Sequence, residues 1–126
     1  MKVLLLLGAC NGFIGVALGA FGAHGLRKAI GTLPDGANRL EWWETASRYH
    51  LLHALFIVGC ALAADRLPGV LPARAAWVAF AGILLFSGSL YAMTLTGVRA
   101  LGAITPIGGL FLLSAWLLLA LAALRS

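Results

Sequence analysis

The stretch GACNGFIGVALGAFGAH, Gly8 to His24, decides how this chain folds. Its glycines stand at Gly8, Gly12, Gly15, Gly19 and Gly22, at gaps of four, three, four and three residues. A helix turns about 100° per residue, so this spacing puts all five on one narrow face. Each glycine costs a helix in water roughly 1 kcal/mol against alanine. Five on one face therefore read as a packing groove. Small residues let a second backbone come close, and helices associate this way in lipid, where apolar side chains gain nothing by leaving their surroundings. The expectation is a first helix that the other helices pack against, ending at His24.

The rest of the chain has the same apolar character. Of 126 residues, 62% are hydrophobic and 10% charged, and the mean hydropathy is +1.00. Soluble domains carry about 25% charged residues, so the composition belongs to the membrane class. The formal charge of +5 comes from basic residues standing singly or in pairs near the ends of apolar runs, such as Lys2, Arg27, Lys28, Arg66, Arg99 and Arg125. They read as interface anchors and topology signals. A nucleic-acid partner would call for a clustered basic face, which is absent. Cys10 and Cys60 lie inside apolar runs with no Cys-x-x-Cys partner, and read as free thiols acting as small hydrophobes. The residues before Cys10 resemble a lipoprotein cleavage site. Their apolar lead, Val3 to Leu7, is shorter than the 7–15 residues of a signal-peptide core, and the run continues past the cysteine. The first helix is accordingly expected to be a permanent span.

Four apolar runs follow in order, near residues 3–23, 46–64, 75–95 and 104–124. Each has roughly the 20 residues that cross a bilayer. Within lipid every backbone group must bond inside its own segment, so the runs are helices. The expected architecture is an all-α membrane protein. One domain, residues 1–126, holds four transmembrane helices in an antiparallel bundle. The first connection is the long one. Its 31–38 portion, GTLPDGAN, is turn chemistry, and RLEWWETASR, Arg39 to Arg48, resumes a helical pattern. Glu44 and Arg48 stand four apart in the favourable order for an ion pair. Trp42 and Trp43 are rings that prefer the membrane boundary. This piece is expected to be a short interfacial helix between the first and second spans, or the interfacial start of the second. Thr105-Pro106 reads as a cap followed by proline at the first helical position. Basic residues divide almost evenly between the two sides, so the positive-inside rule assigns no orientation.

Polar groups at bilayer depth are costly and each asks for a reason. The third helix carries Ser87, Ser89, Tyr91, Thr94 and Thr96, with Gly88 beside Ser87; Gly108-Gly109 repeats the small-residue theme in the fourth. On the second, Tyr49, His53, Phe56 and Cys60 follow one face, with His50 one step round from Tyr49. Serine and threonine act as helix–helix glue at roughly 1 kcal/mol each, or line a small polar cavity. The candidate polar cluster is His24, Tyr49, His53, Ser87, Ser89, Tyr91 and Thr105. The candidate packing glycines are Gly8, Gly12, Gly15, Gly19, Gly22, Gly88 and Gly108. His24, His50 and His53 flank one connection, and three histidines are the minimum for an open zinc site. No His-Glu-x-x-His or Glu-x-x-His motif accompanies them, so no metal site and no cofactor are assigned, with His24 and His53 as the only pair held open for a metal or haem. Nucleophile elbows, phosphate loops and paired intramembrane carboxylates are also missing, and no enzyme class is indicated.

Four ordered motifs carry a resemblance over nearly the whole chain. They are Gly19-Ala20-Phe21-Gly22-Ala23-His24, Tyr49-x-x-x-His53-Ala54-Leu55, Phe86-Ser87-Gly88-Ser89-Leu90-Tyr91 and Thr105-Pro106-Ile107-Gly108-Gly109. Together they resemble the YgdD/YwdK family of small bacterial inner-membrane proteins, the domain of unknown function 423, related to transmembrane protein 256-like proteins. The resemblance carries His24 and His53 and leaves His50 outside the pattern, which weakens a three-histidine site. It implies four helices in the inner membrane and no established activity. Three readings of function stand. The first is a structural or accessory subunit packing through its glycine-rich first helix, in contact with lipid and assembled as a homo-oligomer or within a larger complex. The second is a small-solute or ion transporter or channel built on the polar cluster. The third is a metal- or haem-binding redox protein using His24 and His53.

Overall fold

The computed structural model describes residues 1–126, all helix and short turns. Helix α1, Lys2–Phe21, continues through a π-helical turn, Gly22–Leu26, into the short α2, Arg27–Ile30, so the first span is one rod of 29 residues. Helix α3, Gly36–Ala63, is the second span, α4, Leu71–Thr96, the third, and α5, Thr105–Leu124, the fourth, preceded by a 3₁₀ turn at Arg99–Ala103. All four are long and apolar enough to cross a membrane. The Arg39–Arg48 stretch forms early turns of α3; no separate interfacial helix lies between the first two spans. Its Glu44–Arg48 pair, 3.0 Å apart, stands on the exposed side of that helix. Pro72 enters the first turn of α4, where its missing N–H costs nothing. Gly97 closes α4 at φ +72°, a left-handed conformation in which a side chain would be strained.

Extended packing runs only between consecutive spans, α1 on α3, α3 on α4 and α4 on α5. This corrects the expectation that the others gather on the first helix. Half of the most apolar window of the second span is buried, against 22% of the first and of the fourth. The second and third spans are the middle of the molecule. The first and fourth are its flanks.

The glycine face of the first span meets the second span alone. A Cβ at Gly8 would fall 2.6 Å from Val58 Cγ2 and 3.0 Å from the Val58 backbone nitrogen. At Gly15 it would fall 2.9 Å from Leu51 Cδ2, and at Gly22 it would enter the Trp43 indole. These contacts, one every seven residues, run antiparallel down the seam. Gly12 and Gly19 sit to one side, where an added Cβ would touch Ala54 at 4.0 Å and Ser47 at 3.9 Å. The third and fourth spans use the same device. A Cβ at Gly108 would strike the Phe86 backbone and one at Gly82 would strike Leu112. Gly88 is a correction: it faces open space, and Gly82 is the glycine of the third span that admits a neighbour.

At the end of the molecule nearest Leu4, the core is wholly apolar and rich in alanine, with Ile57, Cys60, Ala75, Ala79 and Ala115 fully or almost fully enclosed. Small side chains hold the backbones close there, and dispersion does the work that water-driven burial would do in a soluble protein. Toward the other end the enclosed side chains become polar: Asn11, Ser47, His50, Ser87 and Thr94.

Candidate functional site

The polar side chains of that half connect the spans. Asn11 is the one amide in the first apolar run, on the buried flank between Gly8 and Gly15. Its Nδ2 donates to the Leu7 carbonyl at 2.9 Å, which leaves Oδ1 facing the second span. There it stands 3.1 Å from His50 Nε2. A carbonyl oxygen only accepts, so Nε2 carries the proton. In the neutral ring Nδ1 is then bare and accepts from the Tyr91 hydroxyl, also at 3.1 Å. Tyr91, His50, Asn11 and the Leu7 carbonyl thus form one directed chain of hydrogen bonds across the third, second and first spans. Trp43 closes its upper side, with its ring 4.6 Å from that of Tyr91 and its indole N–H donating to the Leu18 carbonyl at 2.7 Å.

His53 lies nearly one turn further along α3, about 60° round the helix, and meets different neighbours. Its Nδ1 stands 2.8 Å from the carbonyl of Tyr49, so here Nδ1 carries the proton. Its bare Nε2 accepts the Trp116 indole N–H at 3.1 Å. Phe56 packs on the same indole at 4.4 Å, and the Tyr49 ring lies 4.8 Å from Phe86. This second site joins the second span to the fourth. It opens on a groove of about 390 Å³ toward the lipid-facing side, walled by Tyr49, Phe86, Pro106 and Trp116.

Five further bonds fix the third span. Ser87 donates to the Ala46 carbonyl at 2.7 Å. The Ser89 and Thr105 hydroxyls meet at 2.6 Å, so Thr105 bonds across to a neighbour and does not cap its own helix. Arg39 reaches the far end of α4, where its Nε donates to the Thr94 carbonyl at 2.7 Å and its Nη2 to the Leu95 carbonyl at 3.1 Å. The Thr94 hydroxyl donates back to the Arg39 carbonyl at 3.0 Å. A guanidinium on the last carbonyls of a helix satisfies groups that have no partner within it, and opposes the negative end of its dipole.

The seven residues expected around one cavity do not line one. Tyr49 and His53 share the groove beside the fourth span, Ser89 and Thr105 bond each other, and Ser87 and Tyr91 face the second span at different partners. His24 is exposed in the π-helical turn and makes no side-chain hydrogen bond. Gly8 faces Val58 and Gly15 faces Leu51, so His24 stands near the level of Trp42. His53 is eleven residues beyond that, about 16 Å along the axis, whereas two ligand bonds to one ion span about 4 Å. The His24–His53 metal pair is therefore withdrawn on distance, and no group of three His, Cys, Asp or Glu side chains is close enough to hold a metal. Sequence reasoning passed over Asn11, although a single amide on a glycine face at bilayer depth is itself a signal. The family pattern leaves His50 outside, nothing in the sequence singles out Trp116, and Arg39 reads only as an interface anchor.

Comparison with known proteins agrees with this architecture. A family model described as a protein of unknown function (DUF423) matches residues 18–109. The UPF0382 membrane protein YwdK of Bacillus subtilis is 46% identical, over 99% of this chain and 98% of the relative. A UPF0382 membrane protein of Staphylococcus epidermidis is 44% identical over the same shares. The UPF0382 inner membrane protein YgdD of Escherichia coli K12 is 38% identical, over 98% of this chain and 91% of the relative. No solved structure matches the chain.

Proposed function

The chain belongs to the DUF423 family and is a multi-pass inner-membrane protein, and from that premise we propose that it serves as a structural or accessory subunit of a membrane assembly. The observation that supports this reading is the state of its buried polar groups. No enclosed side-chain nitrogen or oxygen lacks a hydrogen-bond partner, and the partners lie within this chain. Polar groups kept at bilayer depth for conduction or chemistry are expected to face a wet cavity or a substrate. Here Asn11, His50, Tyr91, Ser87 and Thr94 bond across spans or back to their own helix, and so set which spans meet and at what register.

The glycine face is covered by the second span, so assembly uses other surfaces. The flanking first and fourth spans present large apolar side chains outward, Phe13 being 78% exposed and Leu113 69%. A photoreactive phenylalanine analogue in place of Phe13 or Leu113, irradiated in native membranes, tests the proposal. A discrete adduct to a second copy or to a defined partner is expected. Monomer and lipid adducts alone, at both positions, would overturn it.

A further inference from the structure

A furrow follows one side of the seam between the first and second spans. Its upper part is a cleft of about 290 Å³ walled by Gly19, Gly22, Arg27, Trp43, Glu44 and Ser47. This opens outward into a second hollow of about 490 Å³ that shares Arg27 and Glu44 and adds Glu41. Lower down, on the same side, lies an apolar hollow of about 370 Å³ between Gly8, Gly12 and Val16 of the first span and Leu51, Leu55 and Val58 of the second. The upper cleft and the lower hollow share no lining residue, and helical spacing aligns their walls. Gly8, Gly12, Val16, Gly19, Ala23 and Arg27 succeed one another at three or four residues on one span, and Glu44, Ser47, Leu51, Leu55 and Val58 on the other. From Ala23 to Gly8 the furrow runs fifteen residues, about 22 Å at the helical rise. It begins at the membrane boundary, where the charges are, and descends into the hydrocarbon.

The charges at its mouth are of both signs and are not spent on each other. The chain's ion pairs are Asp35–Arg39 and Glu44–Arg48; Arg27 and Glu41 line one hollow and take part in neither. A purely anionic ligand would meet Glu41 and Glu44, and a purely cationic one would meet Arg27. A group carrying an anion and a cation on a short link satisfies both walls.

We propose that this furrow binds one phospholipid with a phosphoethanolamine headgroup, its phosphate on Arg27, its ammonium at Glu41 and one acyl chain laid along the Gly8–Gly12–Val16 hollow. A phosphate takes charge-assisted bonds from a guanidinium, and a primary ammonium gives them to a carboxylate, whereas a choline headgroup has no N–H to give. The absence of a side chain at Gly12, where an added Cβ would meet only Ala54 at 4.0 Å, leaves room for the acyl chain. The occupant deepens no part of the assembly reading and stands independently of it.

The test is native mass spectrometry of the detergent-purified protein titrated with palmitoyl-oleoyl phosphatidylethanolamine, phosphatidylcholine or phosphatidylglycerol. One phosphatidylethanolamine is expected to be held in preference to the other two. Arg27→Ala should weaken its retention about tenfold, the effect of one charge-assisted bond. Glu41→Gln should abolish the preference over phosphatidylglycerol while leaving some binding. Gly12→Leu fills the lower hollow, where an added Cβ only touches Ala54 at 4.0 Å, and should weaken every lipid without altering the order. Circular dichroism and gel filtration identify any variant that fails to fold, and Arg27→Gln and Gly12→Val are then read in place of Arg27→Ala and Gly12→Leu. Equal retention of the three lipids overturns the proposal. So does displacement of the lipid by free phosphoethanolamine at equal concentration with no effect of Gly12→Leu, which would assign the cleft to a soluble zwitterion.

Discussion

His50 and His53 are three residues apart on one helix and equally buried, yet they bond through opposite nitrogens and join different spans. His50 points into the molecule, bonded through Nε2 to Asn11 and through Nδ1 to Tyr91, and ties three spans together. His53 points toward the lipid-facing groove, bonded through Nδ1 to its own helix and through Nε2 to Trp116, and ties two. Each imidazole has one partner that can only accept. That partner is Asn11 Oδ1 at one ring and the Tyr49 carbonyl at the other, and it meets a different nitrogen in each case. The Trp116 N–H keeps Nε2 of His53 bare, so that ring is neutral, and a neutral His50 is then of the opposite tautomer. A residue type read as a ligand in the sequence serves here as a two-ended connector. Which spans it connects depends on the face of α3 that it leaves.

This contrast can be broken most severely at His50. His50→Leu leaves the Asn11 amide oxygen and the Tyr91 hydroxyl without their partner inside the bundle. Each orphaned group costs about 1–3 kcal/mol. Unfolding in mixed micelles should show this as the largest loss among the polar substitutions, and a loss under 0.5 kcal/mol would mean that the relay carries no load. Gly15→Ala attacks the same site from its neighbour. Its new Cβ would fall 2.9 Å from Leu51 Cδ2 and 3.6 Å from His50 Cγ. The Leu51 side chain can yield, so a cost of about 1 kcal/mol is expected, at the low end for overpacking. Gly88→Ala, which meets open space, should be neutral in the same assay.

The His53 side should respond less. Trp116→Phe removes the donor to Nε2 but keeps most of the packing on Phe56, and Trp116 is about half exposed. The expected loss is about 0.6 kcal/mol, the mean for a side-chain hydrogen bond in a membrane protein. An effect equal to that of His50→Leu would erase the distinction between the two sites. A similarly small loss is expected of Glu44→Gln. The Glu44–Arg48 pair is 3.0 Å long, yet both side chains are more than 60% exposed, so its loss should shift stability by less than about 0.5 kcal/mol.

Much of the fold is legible in the chain because the bilayer allows few solutions. Four apolar runs of sufficient length become four helices, and short turns make consecutive helices antiparallel neighbours. The glycine spacing marks a face, and Gly8, Gly15 and Gly22 on it lie against the second span. It does not say how many helices come to it, and an open sequence of spans leaves only the second beside the first. The distribution of polar side chains was harder to read. Spacing places Tyr49 and His53 on one face of α3, and they do share a groove. It cannot tell that Ser89 turns to Thr105 while Tyr91, two residues on, turns to His50, because that depends on which flank of α4 each neighbour covers. Arg39 reads from its position as an anchor at the membrane surface. Its role on the Thr94 and Leu95 carbonyls follows from the end of α4 lying alongside the start of α3, which only the folded arrangement reveals.

The most direct test is the nitrogen-15 spectrum of ring-labelled histidine in the lipid-reconstituted protein, with the signals assigned by His50→Gln and His53→Gln. The account predicts two neutral rings of opposite tautomer, His50 protonated on Nε2 with its Nδ1 bare, and His53 protonated on Nδ1 with its Nε2 bare. Identical tautomers, or rings exchanging freely between both forms as in water, would contradict it.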